Sequence, residues 1–323
     1  MERFPHRVQL RDDFLPLRVQ LTIEMKSSPT FNWNMGYQLT PSIPGLANTR
    51  REIETSNPMF LHAGNPNLKP SKSHMIYVTF NQLFVSKASH LMGVVNYSLE
   101  TDYFAMSERY FPQTTYLPEY DYTVMAGVTL MVPRNTKAHH QLLVNATYST
   151  YSGLLKSKLN IKTIYEYKKI PSFTQGQVND QQTNKWSLGL GLITSFSRKV
   201  EFNLSSYTSV LNTQSDLDRA NNILTQNASL AFRSRIISKY TFSATYSYAY
   251  SKNYATGHDT GLPELKMEIE RNLGRFTSLK LEGINLLNRQ NGVSFGKTAT
   301  FTSRTESART GGYVMLTFSQ KLR

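Results

Sequence analysis

The sequence predicts an all-β protein, an antiparallel up-and-down transmembrane β-barrel with about 14 strands in this chain. Three observations predict this fold class. Apolar and polar residues alternate with a period of two over stretches of about nine residues. Short and long connections follow one another along the chain, and aromatic residues stand at the ends of the alternating stretches.

The first strands are the clearest. Arg7–Arg11 is interpreted as a partial first strand. From Leu17 to Met25 every second residue is apolar, and the pattern restarts from Phe31 to Leu39. Each such strand has one apolar and one polar face.

The pattern recurs to the end of the chain. The later segments are Ile76–Phe80, Leu142–Tyr148, Leu159–Tyr165, Trp186–Leu192, Tyr240–Tyr250, Leu265–Ile269 and Val314–Leu322. Strands of about 9–13 residues can cross a bilayer when tilted. A membrane-spanning helix is not predicted, because the chain has no run of about 18 apolar residues.

The connections between these strands alternate in length, which is typical of outer-membrane barrels, with short periplasmic turns and long extracellular loops. Short connections are predicted near Ser28, Lys87, Gly153, Arg198, Ser238 and Gly274. Long connections are predicted at Pro41–Ser73, Ala105–Ala138, Lys169–Asn184, Thr213–Asn222, Tyr254–Gly261 and Asn288–Gly311.

The main alternative is a soluble β-sandwich, which also has strands with one apolar face. Sandwich strands are usually about 5–6 residues long, and their apolar faces form a core. Here Trp33, Trp186, Tyr248 and Tyr250 stand at segment ends, as in the aromatic belts of membrane proteins. This placement favours the barrel.

Composition limits the possible partners and chemistry. The 323 residues are 39% hydrophobic and 12% aromatic, carry a net charge of +14 and include no cysteine. Disulfides and cysteine-based sites are therefore excluded. A positive charge suits an anionic partner, but no block of five or six basic residues exists, so we predict no nucleic-acid partner.

Few residues have a pattern typical of catalysis or metal binding. His139 and His140 are adjacent, so on a strand they point to opposite faces and chelate poorly. Glu264, Glu268 and Glu270 form one strand face and are interpreted as a charged lumen wall. We find no nucleophile elbow and no phosphate loop, so we predict no enzyme, no metal and no cofactor.

An aromatic cluster in a long connection is the candidate binding site. Aromatic rings give large contact areas to flat or apolar ligands. The candidate ligand-binding residues are Tyr110, Phe111, Tyr116, Tyr120 and Tyr122, with Tyr103 close by. The alternative is that this loop packs on itself at the barrel mouth.

Four passages carry a resemblance to a known family: GNPNLKP at Gly64–Pro70, YEYKKIPSFTQGQVN, GINLLNRQN at Gly283–Asn291 and the closing GYVMLTFSQKLR. In this order they resemble the barrels of TonB-dependent receptors, in the branch of outer-membrane β-barrel proteins. Two positions depart from the family pattern. Ser71 stands where the family usually has Glu, and Leu322 and Arg323 end a strand that normally closes on an aromatic residue.

The resemblance implies a nutrient receptor in the outer membrane, in contact with lipid and with a small-molecule, glycan or peptide substrate. Such receptors have about 22 strands, an N-terminal plug and a motif that binds the energy-coupling partner. The first residues, MERFPHRVQLRDDF, have no signal-peptide pattern. Residues 1–323 are therefore expected to be the C-terminal portion of a larger barrel, without its plug. A passive porin or structural barrel of about 14 strands is the alternative.

Overall fold

The computed structural model describes residues 17–154, 156–197, 199–235, 239–274, 276–288, 291–297, 302–308 and 310–321. The strand positions expected at Arg7–Arg11, Leu322 and Arg323, and the turn positions Arg198 and Ser238, lie outside these residues.

Nearly all regular structure in the described residues is β. The strands are β1 Val19–Ser28, β2 Phe31–Ser42, β3 Ile53–Glu54, β4 Phe60–Ala63, β5 Ser71–Phe84, β6 Ser89–Thr101, β7 Phe104–Phe111, β8 Thr115–Leu117, β9 Tyr122–Val124, β10 Val128–Asn135, β11 Ala138–Ser152, β12 Ser157–Thr174, β13 Gln177–Ser197, β14 Val200–Ser215, β15 Asp218–Ser234, β16 Tyr240–Asn253, β17 Asp259–Asn272, β18 Thr277–Ile284, β19 Asn291–Lys297, β20 Thr302–Ala308 and β21 Tyr313–Gln320. One short helix, α1 Leu46–Thr49, and a single 3₁₀ turn, Val85–Lys87, interrupt them.

Thirteen of these strands form one continuous antiparallel sheet, which we call the wall. Its order is β1, β2, β5, β6, β11 to β18 in sequence, and β21. Each strand pairs with the next wall strand along the chain. This up-and-down arrangement confirms the predicted fold class.

The register of the wall aligns apolar side chains on one face. One row crosses nine strands without a polar residue. It consists of Ile23, Met35, Val78, Val95, Val144, Tyr165, Trp186, Val210 and Leu224. A slip of one residue in any strand would turn its apolar side chains to the other face, so the alternation in the sequence specifies this register.

Aromatic residues border this apolar face at two levels. Near one end Tyr165 and Trp186 contact each other, with ring centroids 4.3 Å apart. Near the other end Phe202 and Phe232 do so at 4.9 Å. Eight residues of β14 separate Phe202 from Val210, the register partner of Trp186. That is about 26 Å along the strand, or ~20 Å at a tilt of about 40°, which is close to the apolar band of a membrane barrel.

Strands β12 to β15 are longer than their alternating segments predict. Two of the predicted long loops are therefore wrong, because they are parts of strands. Lys169–Asn184 and Thr213–Asn222 form the ends of long hairpins, and β13 alone has 21 residues. Gln175 and Gly176 form a two-residue turn with φ of 51° and 78°, the left-handed values of a type I′ hairpin. Because polar residues cover both faces of these ends, the alternation is lost there although the strand continues.

The two longest connections, residues 43–70 and 102–137, fold together into a separate unit, which we call the cap. In it β10 pairs with β7 antiparallel and with β4 parallel. The end of β12 adds to β7 through Phe173 and Thr174. A small sheet of β3, β4, β10, β7 and the tip of β12 therefore lies at the end of the wall with the long connections.

The cap contains a hydrophobic core. Its buried members are Leu61, Ala63, Phe111, Leu117, Val124, Val128 and Leu130, and Ile53, Tyr120, Tyr122 and Val132 pack against them. Residues from β4, β7, β10 and the β8–β9 hairpin thus meet on one face of the small sheet. This packing gives the cap a hydrophobic core of its own.

Candidate functional site

The candidate site consists of the cap and the polar face of the wall below it. The stretch GNPNLKP joins the two. Asn65 Nδ2 donates to the Pro133 carbonyl at 3.1 Å. The Lys69 N–H donates to Asn135 Oδ1 at 2.8 Å, and Asn135 Nδ2 donates to the carbonyls of Lys69 and Asp102. The end of the first cap connection is thereby bound to the second.

Gly64 shows why this stretch begins with glycine. A Cβ added at Gly64 would lie 2.2 Å from the carbonyl oxygen of Arg50 and 2.6 Å from its nitrogen. These are backbone atoms beside α1, so they cannot turn aside as a side chain could. The close approach lets the Asn65 N–H donate to the Asn48 carbonyl at 2.7 Å.

The adjacent histidines occupy different environments, as their strand position predicts. His139 Nδ1 lies 3.9 Å from Glu100 Oε2, and its ring lies 4.9 Å from that of Tyr103. His140 Nδ1 is hydrogen-bonded to the Tyr97 hydroxyl at 2.9 Å. The pair therefore belongs to two separate clusters, one on each face.

The structure divides the five aromatic residues of the predicted binding site into two groups. Phe111 is 3% exposed in the cap core, and Tyr120 and Tyr122 pack against that core. Tyr110 and Tyr116 are 49% and 55% exposed. Three of the rings therefore hold the cap together, while the other two are open to contact from outside.

The two exposed tyrosines differ in their surroundings. The Tyr116 hydroxyl donates to Asp121 Oδ1 at 2.7 Å, and this hydrogen bond raises the pKa of Tyr116. Tyr110 lies in register with Thr129, which in turn lies opposite Phe60 on β4. Phe60 is also exposed, at 43%, so the outer face of the small sheet carries an aromatic surface.

Charged groups on the polar face of the wall form two sectors. On β12 and β13, Lys185 Nζ lies 3.1 Å from Glu166 Oε1. On β17 and β18, Glu282 is 3% exposed and accepts from Lys266 at 2.9 Å and from Lys280 at 2.7 Å. The predicted charged face of β17 thus extends to β18, where Glu282 is held by two lysines.

A concave site of about 460 Å³ lies on the polar face between these sectors. Strands β13 to β17 line it with side chains that include Tyr207, Ser209 and Thr225. The polar face is therefore hollowed at β13 to β17. The volume lies within the range of about 300–1,000 Å³ that is usual for ligand sites.

No pattern in the sequence predicted this concave site. The available signal was a series of small hydroxyl residues at alternate positions, such as Ser205 and Ser209 on β14 or Ser247 and Ser251 on β16. Such residues are common on any solvated strand face. Only the register between strands shows which of them meet.

In the described residues, no helix is both long and apolar enough to cross a membrane. Nor does the described part of the chain hold any group of three or more His, Cys, Asp or Glu residues that could bind a metal ion.

Comparison with known proteins gives a likeness of fold alone. No family model matches the chain, and no curated protein matches its sequence. Among solved structures, the FrpB iron transporter from Neisseria meningitidis superposes with a TM-score of 0.58 at 8% identity, over 83% of this chain and 44% of the transporter. The ferric yersiniabactin uptake receptor FyuA from Yersinia pestis gives 0.48 at 8% identity, over 94% and 49%.

This chain therefore spans less than half the length of those two proteins. The likeness to FrpB agrees with the register of the wall and with its exposed apolar face. Together they show that the chain has the architecture of an outer-membrane barrel.

Proposed function

We propose that this chain forms the membrane-spanning wall and exterior cap of an outer-membrane receptor that imports a nutrient, as a non-enzymatic transporter of the TonB-dependent type. The register of the wall carries the proposal. It aligns an unbroken apolar row across nine strands on one face and places mainly polar side chains on the other. A soluble β-sandwich would cover the apolar face with a second sheet, whereas lipid covers it in a barrel.

The cap supports a receptor role. Long connections at the mouth of a barrel are where ligands are met, and here they pack around a hydrophobic core and expose aromatic residues. In this proposal Tyr110 and Tyr116 contact the incoming small molecule, glycan or peptide. Phe111, Tyr120 and Tyr122 keep the cap rigid, so that the contact surface is preorganised.

The proposal includes further strands between β21 and β1. In the described residues β1 pairs only with β2, and β21 only with β18. Unpaired strand edges in lipid cost several kcal/mol per backbone group. Because thirteen alternating strands leave β1 and β21 running in the same direction, antiparallel closure requires an odd number of added strands. A barrel of about 22 strands meets this condition, and its plug would bind the energy-coupling partner.

Orientation in the membrane tests the proposal. Asn67 in the cap and Lys87 in a short turn are both exposed, and the chain has no native cysteine. Cysteine would be introduced as Asn67→Cys or Lys87→Cys in the full gene product. A membrane-impermeant maleimide on intact cells should label the first and spare the second. Labelling of Lys87→Cys alone, or recovery of the protein in the soluble fraction, would contradict the proposal.

Liposome swelling separates a gated receptor from a passive pore. Purified protein would be reconstituted and exposed to arabinose, a small neutral solute. A receptor closed by its plug should leave the swelling rate at the level of protein-free vesicles. Rapid swelling with the intact gene product would instead identify an open channel.

A further inference from the structure

A row of hydroxyl side chains crosses the polar face of the wall. Five consecutive strands, β13 to β17, each contribute one Ser or Thr to it in direct register. The row consists of Ser187, Ser209, Thr225, Ser251 and Thr260. The last four line the concave site of about 460 Å³, and the oxygens of Ser209 and Thr225 are 2.7 Å apart.

Apolar side chains flank this hydroxyl row on the same face. On one side, the neighbouring row contains Leu211 and Ile223, which are register partners on β14 and β15. Ile223 is only 7% exposed. On the other side Tyr207 and Leu262 also line the site. Apolar residues also occur elsewhere on this face, such as Ile164 opposite Ser187, but here Tyr207, Leu211, Ile223 and Leu262 border one concave site. Hydroxyls between apolar borders suit a ligand that has polar edges and apolar faces.

The site carries no unpaired charge. Lys185 is the one ionisable cation that lines it, and that ammonium is bound to Glu166 at 3.1 Å. The acidic sector of β17 and β18 lies outside the site, and there Glu282 is bound to Lys266 and Lys280. An anionic or cationic ligand would have to break one of these pairs to find a counter-charge. An uncharged ligand fits the site as it stands.

We propose that the hydroxyl row is a binding site for neutral sugars, of one or two rings, on their way through the barrel. The proposal rests on the proposed transport function and names a substrate class for it. Sugar hydroxyls exchange hydrogen bonds with Ser209, Thr225 and Ser251, each of which can both donate and accept. The C–H faces of the ring pack on Tyr207 and Ile223, as apolar ring faces pack on aromatic and aliphatic side chains.

Other ligand classes fit less well. A fully apolar ligand would displace water from the hydroxyl row and supply no hydrogen bonds beyond the one between Ser209 and Thr225, which is unfavourable in a concave site. A peptide end or an acidic metal chelate would need a free charge. The neutral sugar alone uses both the hydroxyls and the apolar borders.

The test is saturation-transfer difference NMR with maltose on the detergent-solubilised full gene product. Thr225→Val removes one hydroxyl of the row at nearly constant volume, and Ser209→Ala removes its neighbour. Loss of one neutral hydrogen bond should weaken maltose binding about threefold to tenfold. Thr245→Val is the matched control, because Thr245 lies on the polar face of β16, opposite Lys266 and outside the concave site. Heat-modifiable migration checks that each variant is folded.

Weaker maltose binding by Thr225→Val or Ser209→Ala, with unchanged binding by Thr245→Val, supports the proposal. Absence of maltose binding to the folded protein overturns it, as does equal loss in all three variants. Preferential binding of glucuronate over maltose also overturns it, because it would show a charge-selective site. A protein that inserts in the membrane and is labelled at Asn67→Cys but binds no maltose refutes this inference alone, and leaves the transport function standing.

Discussion

The cap and the wall are built from the same kind of alternating strand but keep their apolar side chains in opposite places. In the cap, Val124 and Leu130 are 0% and 3% exposed. In the wall, Leu188 and Leu190 are 47% and 44% exposed, while Ser187, on the opposite face of the same strand, is 4% exposed. The cap folds as a water-soluble domain does, with apolar groups inside. The wall is inverted: its hydroxyl side chains lie on the polar inner face, and its leucines lie on the exposed outer face.

The difference shows which environment each region requires. An apolar sheet face that other parts of the chain cover can stand in water, whereas an uncovered one needs an apolar surrounding. The small sheet of the cap is covered on one face by the β8–β9 hairpin, which contributes Leu117 and Val124. The described chain provides no such cover for the apolar face of the wall. An uncovered apolar face of this height is typical of a barrel whose outer surface contacts lipid.

The largest expected effect is in the cap core. Leu130→Asn removes a buried side chain and leaves a buried amide without partners, so we expect the cap to lose about 4–6 kcal/mol. Hydrogen exchange should accelerate throughout residues 53–63 and 104–135, while the wall amides keep their protection. Thr129→Asn, on the opposite face of β10, is the matched control and should change little. Simultaneous loss of protection in β13 and β14 would show that cap and wall are one cooperative unit.

The next effect tests the inverted face of the wall. Leu190→Arg should cost roughly 2–4 kcal/mol in bilayer refolding, because it places a charge in the apolar band. Gly191→Arg is the control on the polar face, where a new Cβ would be 3.7 Å from the nearest atom, an ordinary contact with Asn160. Leu190→Ala should cost less than Leu130→Ala in the cap, because lipid fills the space. Equal tolerance of arginine at both positions would refute the assignment of faces.

The smallest effect concerns the junction of the two regions. Asn135→Ala removes three hydrogen bonds to Lys69 and Asp102, so we expect a loss of about 1–3 kcal/mol in the local stability of the cap. Asn135→Asp keeps the acceptor for the Lys69 N–H and loses both donor bonds, and it should fall between alanine and wild type. The exchange rate of the Lys69 amide reports the effect. An unchanged rate in Asn135→Ala would mean that this junction does not attach the cap.

The candidate site could be predicted only in part. The aromatic residues of the second long connection were visible in the sequence, but their two roles were not. Phe111 and Tyr110 are adjacent, and burial separates them only because β7 presents alternate residues to opposite faces of the small sheet. The hydroxyl row was invisible, because it depends on five strands being aligned.

The sequence by itself determined the alternation, and with it the β class of the chain and the apolar and polar face of each strand. It did so because a period of two is a local property that each segment carries alone. Only the tertiary structure decided the lengths of β12 to β15, the folding of two loops into one cap and the meeting of Ser209, Thr225 and Ser251. These depend on contacts between segments distant in the chain, such as Lys69 with Asn135, and no local pattern specifies a partner that lies 66 residues away.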